Sequence, residues 1–303
     1  MPVDYFLMAL AYTLKKSPEP PTTSLPRGVL VTGAAGNIGR YFAENSGGRY
    51  RLRLMVRETE DGNALASFGE IVTGDLSNLD VLKELCRGVD TVVHLAGAAS
   101  PSATWDEILP ANIVGTYNLF VAAKSAGCRR VVYASSIHAV SGYPADVQVK
   151  STEPVNPGDL YGVSKCFGEA LGRYFAEKEN LSIIALRIGA FQPIETAQKE
   201  ESVGLLDAFV SRRDLQQLLQ RCIDDERLQF AIFNGLSDNR FKRLDLSDAR
   251  ELVGYEPQDD LADENPQLAP TDLAEDVRAH SRADPSQKSG IRNQLGAADA
   301  KES

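Results

Sequence analysis

Short apolar runs alternate with amphipathic stretches along the middle of the chain, and that rhythm sets the expected elements. Gly28–Thr32, Arg51–Val56, Ile71–Thr73, Thr91–Leu95, Arg130–Ser135 and Ser182–Arg187 read as strands. Asn37–Asn45, Leu79–Arg87, Trp105–Gly127 and Tyr161–Asn180 read as helices between them. Strands alternating with helices at this spacing imply a parallel sheet covered on both faces. Right-handed crossovers then predict an α/β fold with a doubly wound parallel sheet, the Rossmann architecture, over residues 27–188.

Beyond Gly189 the rhythm changes. Ser211-Arg212-Arg213-Asp214 looks like a capping box that opens a helix through Asp224. Gln229–Asn234 reads as a returning strand and Ser247–Val253 as another capped helix, making 189–256 a small C-terminal subdomain. After Tyr255 no aromatic residue follows, and only six Leu, Ile or Val remain in 48 positions. Such a segment buries too little surface to offset its ordering entropy, so 257–303 is expected to be a disordered acidic tail. At the front, residues 1–26 read as an extension and linker, with four prolines in the ten positions Ser17–Pro26. The apolar run Tyr5–Leu14 is only ten residues long, against the roughly 20 that a bilayer requires. Asp4 precedes it and Lys15-Lys16 follow it, the reverse of a signal peptide. It reads as a short helix docked on the body, or as residues upstream of the true start.

Composition narrows the function. The formal charge of −10 argues against a nucleic-acid backbone as partner, which would call for a basic stripe. Four cysteines (Cys86, Cys128, Cys166, Cys222) are scattered with no C-x-x-C pair, so neither a disulfide framework nor a metal site is expected. That usage fits a reducing cytoplasm with no membrane partner.

Thr32-Gly33-Ala34-Ala35-Gly36-Asn37-Ile38-Gly39 follows the first strand of this pattern and opens a helix. One glycine permits the tight turn, another lets backbone approach a pyrophosphate, and a third packs helix against strand. The helix start offers free N–H groups and the positive end of a dipole. The spacing Gly-x-x-Gly-x-x-Gly resembles that of the extended short-chain dehydrogenase/reductases, the NAD-dependent epimerase/dehydratase family. Gly74-Asp75-Leu76 resembles the family's loop after the third strand, whose Asp contacts adenine. His94-Leu95-Ala96-Gly97 resembles its fourth-strand motif beside the cofactor, and Asn112 resembles the helix Asn of its core. Tyr161-Gly162-Val163-Ser164-Lys165 matches Tyr-x-x-x-Lys. The resemblance, over about residues 28–256, implies a dinucleotide held by Gly33, Gly36, Asn37, Ile38, Gly39, Asp75, Leu76, Leu95, Ala96, Gly97, Asn112, Tyr161 and Lys165.

Tyr161 and Lys165 lie four apart and so project from one helix face. A free phenol, with a pKa of about 10, is a poor base at neutral pH. An ammonium at roughly 4–5 Å, at an effective dielectric near 20, supplies about 4 kcal/mol toward the phenolate. Tyr161 is thus expected to act as base toward an alcohol, with Lys165 lowering its pKa. Ser136 lies at the family's interval of 25 before the Tyr and completes the catalytic set Ser136, Tyr161 and Lys165.

Within the family, Ala134-Ser135-Ser136-Ile137-His138, Tyr161–Glu169 and Arg187-Ile188-Gly189 resemble uronate dehydrogenases. That implies oxidation of the C1 hydroxyl of a uronic acid or related sugar to a lactone, with Ser100, Ser136, His138 and Tyr161 contacting substrate. The serine expected after Arg187-Ile188-Gly189 is Ala190, and Phe191–Asp207 holds no counterpart of the carboxylate-binding Arg. Lys199, Arg212 and Arg213 are the candidate replacements. Val56 stands where those enzymes carry Asp, followed by Arg57, which can pair with a 2′-phosphate. The cofactor is therefore NAD or NADP, tilted to NADP by Arg57, with Glu58 the nearby acid that would favour NAD. A nucleotide-sugar epimerase or dehydratase, another reductase of the superfamily and a non-enzymatic dinucleotide sensor remain open, and a homo-oligomer is compatible with each.

Overall fold

A computed structural model of the protein describes residues 12–15 and 26–269. In chain order its elements are β1 (Tyr12–Leu14), β2 (Arg27–Thr32), α1 (Asn37–Glu44), β3 (Tyr50–Val56), β4 (Glu70–Thr73), α2 (Leu79–Cys86) and β5 (Thr91–His94). Next, α3 (Trp105–Ile108) runs through a π-helical turn, Leu109–Val114, into α4 (Gly115–Ser125). Then come β6 (Arg130–Ser136), α5 (Leu160–Lys178), β7 (Ser182–Ile188), β8 (Ala190–Gln192), α6 (Ile194–Ala197), β9 (Phe209–Ser211) and α7 (Arg212–Asp224). The described chain ends with β10 (Leu228–Gly235), α8 (Ser247–Val253) and α9 (Leu261–Glu264).

One sheet carries eight strands in the order β1-β10-β7-β6-β5-β2-β3-β4. All its pairings are parallel except the edge pair β1–β10. Side chains leave a strand on alternate faces, and here both faces are buried. Val29, Val31, Leu52, Leu54, Val132 and Ile184 face a core closed by Phe42, Leu215 and Leu218 of α1 and α7. Leu30, Met55, Val92, Val131 and Ile183 face the opposite core, closed by Leu82, Phe120 and Phe175 of α2, α4 and α5. The doubly wound fold expected from the sequence is the one observed. Chain order reverses between β2 and β5, so a crevice opens at their carboxyl ends, where such sheets hold ligands.

Two expectations are corrected. Tyr12–Leu14 is a strand rather than part of a helix: it pairs antiparallel with β10, whose outer edge would otherwise be bare, and Lys15 N–H extends the ladder to the Arg227 carbonyl (2.8 Å). Residues 1–11 and 16–25 lie outside the described residues. Of the tail expected over 257–303, residues 257–269 are instead packed against the body. Leu261 is fully buried against Ala197 and Phe209, and fully buried Asn265 donates to the Lys199 carbonyl (2.9 Å) and the Ser202 hydroxyl (3.0 Å). Residues 270–303 lie outside the described residues. Among the described residues no helix is long and apolar enough to cross a membrane, and no group of His, Cys, Asp or Glu is arranged to hold a metal ion.

Candidate active site

The glycine loop closes against the neighbouring strand end. Gly33 has φ +68°, and a Cβ there would sit 2.8 Å from the Ala96 nitrogen. A Cβ on Gly39 would sit 2.3 Å from the Gly33 carbonyl oxygen, so α1 can dock on the turn only without a side chain at that position. Gly36 occupies the N-cap of α1 with no side-chain cap, leaving the first N–H groups of the helix to a ligand. Asn37 is exposed there, while Ile38 and Leu95 anchor the two loops in the core. These are the features a pyrophosphate cradle needs, and the residues present fit a dinucleotide.

At the far end of the crevice Asp75 is exposed, and its Oδ1 accepts the Ser77 N–H (2.7 Å). The Ser77 hydroxyl first, then that backbone bond and the charge of Arg57, hold the Asp75 carboxyl below its usual range. Asn118 donates to the Leu76 carbonyl (2.9 Å) and so fixes this loop to α4. Arg57 does not stand free. Its Nε and Nη2 donate to Glu60 Oε1 (3.0 and 2.8 Å), and its backbone N–H donates to Glu60 Oε2 (2.9 Å).

The other half of the site is built by β6 and α5. Asp159 caps α5, its Oδ1 accepting the Gly162 N–H (2.7 Å), and Tyr161 and Lys165 follow on the buried face. Ser136 ends β6, its hydroxyl favours the Tyr161 phenolate, and its Oγ accepts the His138 N–H (3.2 Å). Lys165 Nζ donates to the Ala134 carbonyl (2.8 Å) and lies 5.4 Å from the centre of the Tyr161 ring. Asn112 sits in the π-helical turn, where backbone irregularity often marks a site. Its Oδ1 accepts the Ala98 N–H (2.7 Å), and its Nδ2 donates to the Ala98 carbonyl (3.0 Å) and Ser164 Oγ (2.9 Å). It thereby ties the loop after β5 to α5. A Cβ on Gly97 would meet Asn112 Oδ1 at 2.8 Å and Lys165 Nζ at 3.8 Å, so Gly97, Asn112 and Lys165 converge. Beneath them, buried Glu169 accepts Ser135 Oγ–H (2.6 Å) and two bonds from Arg187 (2.9 Å each), pinning α5 to β6 and β7.

Electrostatics depart from the sequence expectation at one point. Burial alone pushes the Lys165 ammonium down to about 8. Burial also raises the Tyr161 phenol above its usual value; the Ser136 hydrogen bond opposes this and the Asp159 charge adds to it. The lowering expected from Lys165 is not seen: burial is the largest influence on the phenol, and the ammonium donates to the Ala134 carbonyl.

The candidate substrate contacts separate into two groups. His138 lies edge-on to Tyr161, with ring centres 5.5 Å apart. Ser100, by contrast, uses its hydroxyl in its own turn, toward Ser102 Oγ (2.8 Å) and Ser102 N–H (3.2 Å). Among the candidate cations, Arg213 is paired with Asp259, Arg212 lies over the Tyr41 ring (5.7 Å), and Lys199 is exposed.

Two residues escaped the sequence reading. Asp159 also accepts His138 Nδ1–H at Oδ2 (2.6 Å); its capping role was legible one position before the helix, but a contact 21 residues away carried no signal. Glu60 was hidden because a turn folds it back, its N–H donating to the Arg57 carbonyl (3.0 Å).

Residues 29–212 match the NAD dependent epimerase/dehydratase family. The NAD-dependent glucose-6-phosphate dehydrogenase of Haloferax volcanii is 33% identical over 250 residues, covering 78% of this chain and 94% of that protein. The L-arabinose 1-dehydrogenase (NAD(P)(+)) of the same organism is 34% identical over 253 residues, 77% of this chain and 97% of that one. Among solved structures, a mutant uronate dehydrogenase from Agrobacterium tumefaciens complexed with NAD superposes with a TM-score of 0.70 at 29% identity, covering 86% of this chain and 93% of that chain. With glycine cradle, convergent Tyr161 and Lys165, and relatives aligned over most of their length, the resemblance seen in the sequence becomes membership: this chain belongs to the NAD dependent epimerase/dehydratase family.

Proposed function

We propose that this chain is an NAD(P)-dependent dehydrogenase that oxidises the C1 hydroxyl of a free sugar or sugar acid to the lactone. The observation that carries the reading is the meeting of Ser136, Tyr161 and Lys165 at the sheet's switch-point crevice. The relatives named above, dehydrogenases of a sugar phosphate, a neutral sugar and uronates, support it. Gly33, Gly36, Asn37 and Gly39 would hold the pyrophosphate, Asp75 and Leu76 the adenine, and Leu95–Gly97 with Asn112 and Lys165 the nicotinamide side. The bound nicotinamide supplies the acceptor for the C1 hydride.

The chain's own residues handle the proton. Ser136 orients the alcohol by hydrogen bonding to its oxygen, and Tyr161 Oη takes the hydroxyl proton. Lys165, whose ammonium lies 5.4 Å from the centre of the Tyr161 ring, favours the phenolate and works against the burial that raises the phenol. His138, with its Nδ1–H committed to Asp159, keeps Nε2 as an acceptor for a sugar hydroxyl. With Arg213 paired and no arginine in 191–207, a neutral sugar suits this site at least as well as a uronate. Four cysteines unpaired with one another, three of them buried, support a cytoplasmic setting. The test is the absorbance of reduced cofactor on mixing the protein with NAD or NADP and free sugars, sugar phosphates and uronic acids. Signal from one of these supports the reading; silence with all of them and turnover of nucleotide sugars refutes it.

A further inference from the structure

The strand-end acid that selects NAD in dinucleotide folds is absent at Val56, and Arg57 beside it invites a 2′-phosphate. The fold alters that picture. β3 runs directly to the crevice: the Ala34 N–H of the glycine loop donates to the Met55 carbonyl (3.2 Å), and the Gly74 N–H donates to the Val56 carbonyl (3.0 Å). Arg57 therefore emerges between the glycine loop and the Asp75 loop, and the turn Arg57–Glu60 brings a carboxylate back to the same strand end. We propose that Glu60 is the residue that sets cofactor choice: it accepts a ribose hydroxyl and keeps Arg57 from a 2′-phosphate, so the chain prefers NAD. This rests on the dinucleotide reading of the crevice.

A solvated surface ion pair would look different. Here Glu60 is the inner partner, with its side chain 26% exposed against 68% for Arg57, and a backbone N–H holds it as well as the guanidinium. Its acceptors can be counted. Oε1 receives two bonds from Arg57 and Oε2 receives one, so of about four lone-pair sites one on Oε2 stays open for a hydroxyl. A 2′-phosphate would meet that carboxylate instead, and Arg57 would have to break its own pairing to reach it. The leaning to NADP drawn from Arg57, and the rescue assigned to the exposed Glu58, are both replaced by this arrangement.

The test is direct titration of NADH and NADPH by nucleotide fluorescence on the full chain, with Glu60→Gln and Arg57→Ala. Wild type should bind NADH at least tenfold more tightly than NADPH. Glu60→Gln should lose roughly tenfold or more for NADH and gain for NADPH, reversing the preference. Arg57→Ala, which keeps Glu60 and the backbone N–H that holds it, should leave the preference for NADH over NADPH in place. The proposal is overturned if wild type prefers NADPH, or if Glu60→Gln leaves the ratio unchanged while both nucleotides bind. If wild type binds neither nucleotide, the dinucleotide reading itself is overturned, and the proposal with it.

Discussion

Replacing Asn265 with alanine should loosen the packed segment 257–269 while sparing the dinucleotide crevice. Asn265 ties the last described stretch to the segment after α6: its Nδ2 donates to the Lys199 carbonyl (2.9 Å) and Ser202 Oγ (3.0 Å), and its Oδ1 accepts the Gln267 N–H (2.9 Å). At about 0.5–1.5 kcal/mol each, losing these three bonds costs about 2–4 kcal/mol. Ser202 keeps its bond to the Ala197 carbonyl (2.9 Å), so the damage stays on the strap rather than spreading through the loop. A loss of that size raises the open population of the strap by roughly 30- to 1,000-fold. The assay is steady-state turnover of the best sugar, paired with nucleotide titration and limited proteolysis. The sugar KM should rise at least tenfold, nucleotide affinity should hold within about twofold, and cleavage within 257–269 should accelerate. Unchanged KM after cleavage near Pro257 would refute the reasoning and return this stretch to the status of a dispensable tail.

Other perturbations separate stability from chemistry. Lys165→Met removes an ammonium whose pKa burial holds at about 8; calorimetry at pH 7 should show a fold stabilised by up to about 3 kcal/mol, with turnover abolished. The sign is set by proton binding: between about pH 8 and the unfolded value of about 10.4 the unfolded state binds more protons, so wild-type stability should rise with pH across that window and the variant should lose the rise. Asp159→Ser keeps a capping oxygen for α5 but releases His138; thermal stability should change by less than about 1 kcal/mol while the sugar KM rises. An unchanged KM in that variant would reduce Asp159 to a helix cap.

Local chemistry was legible in the sequence, and long-range pairing was not. The glycine loop and the pair Tyr161–Lys165 are each contained within eight residues, so spacing and helical geometry were enough to place them. The alternation of strands with helices forecast a sheet buried on both faces, and Val29 and Val31 do face one core while Leu30 faces the other. β1 was missed because its partner, β10, is more than 200 residues away. The segment 257–269 was missed because it is held by buried polar groups: Asp259 pairs with Arg213, and Asn265 bonds to two loop atoms. Composition reads such residues as a tail. The Tyr161 phenol was misjudged for a related reason, since a helix diagram contains the attraction of Lys165 but not the burial that raises the phenol.

The central claim is that Tyr161 takes the proton from the C1 hydroxyl of a free sugar. Its most direct test is Tyr161→Phe, assayed beside wild type for reduced-cofactor formation with the best free sugar, with nucleotide affinity titrated in parallel. The account expects near-normal nucleotide binding and a fall in turnover on the order of 10²–10⁴-fold, the usual worth of a positioned proton acceptor. Turnover within tenfold of wild type in the phenylalanine variant would contradict it.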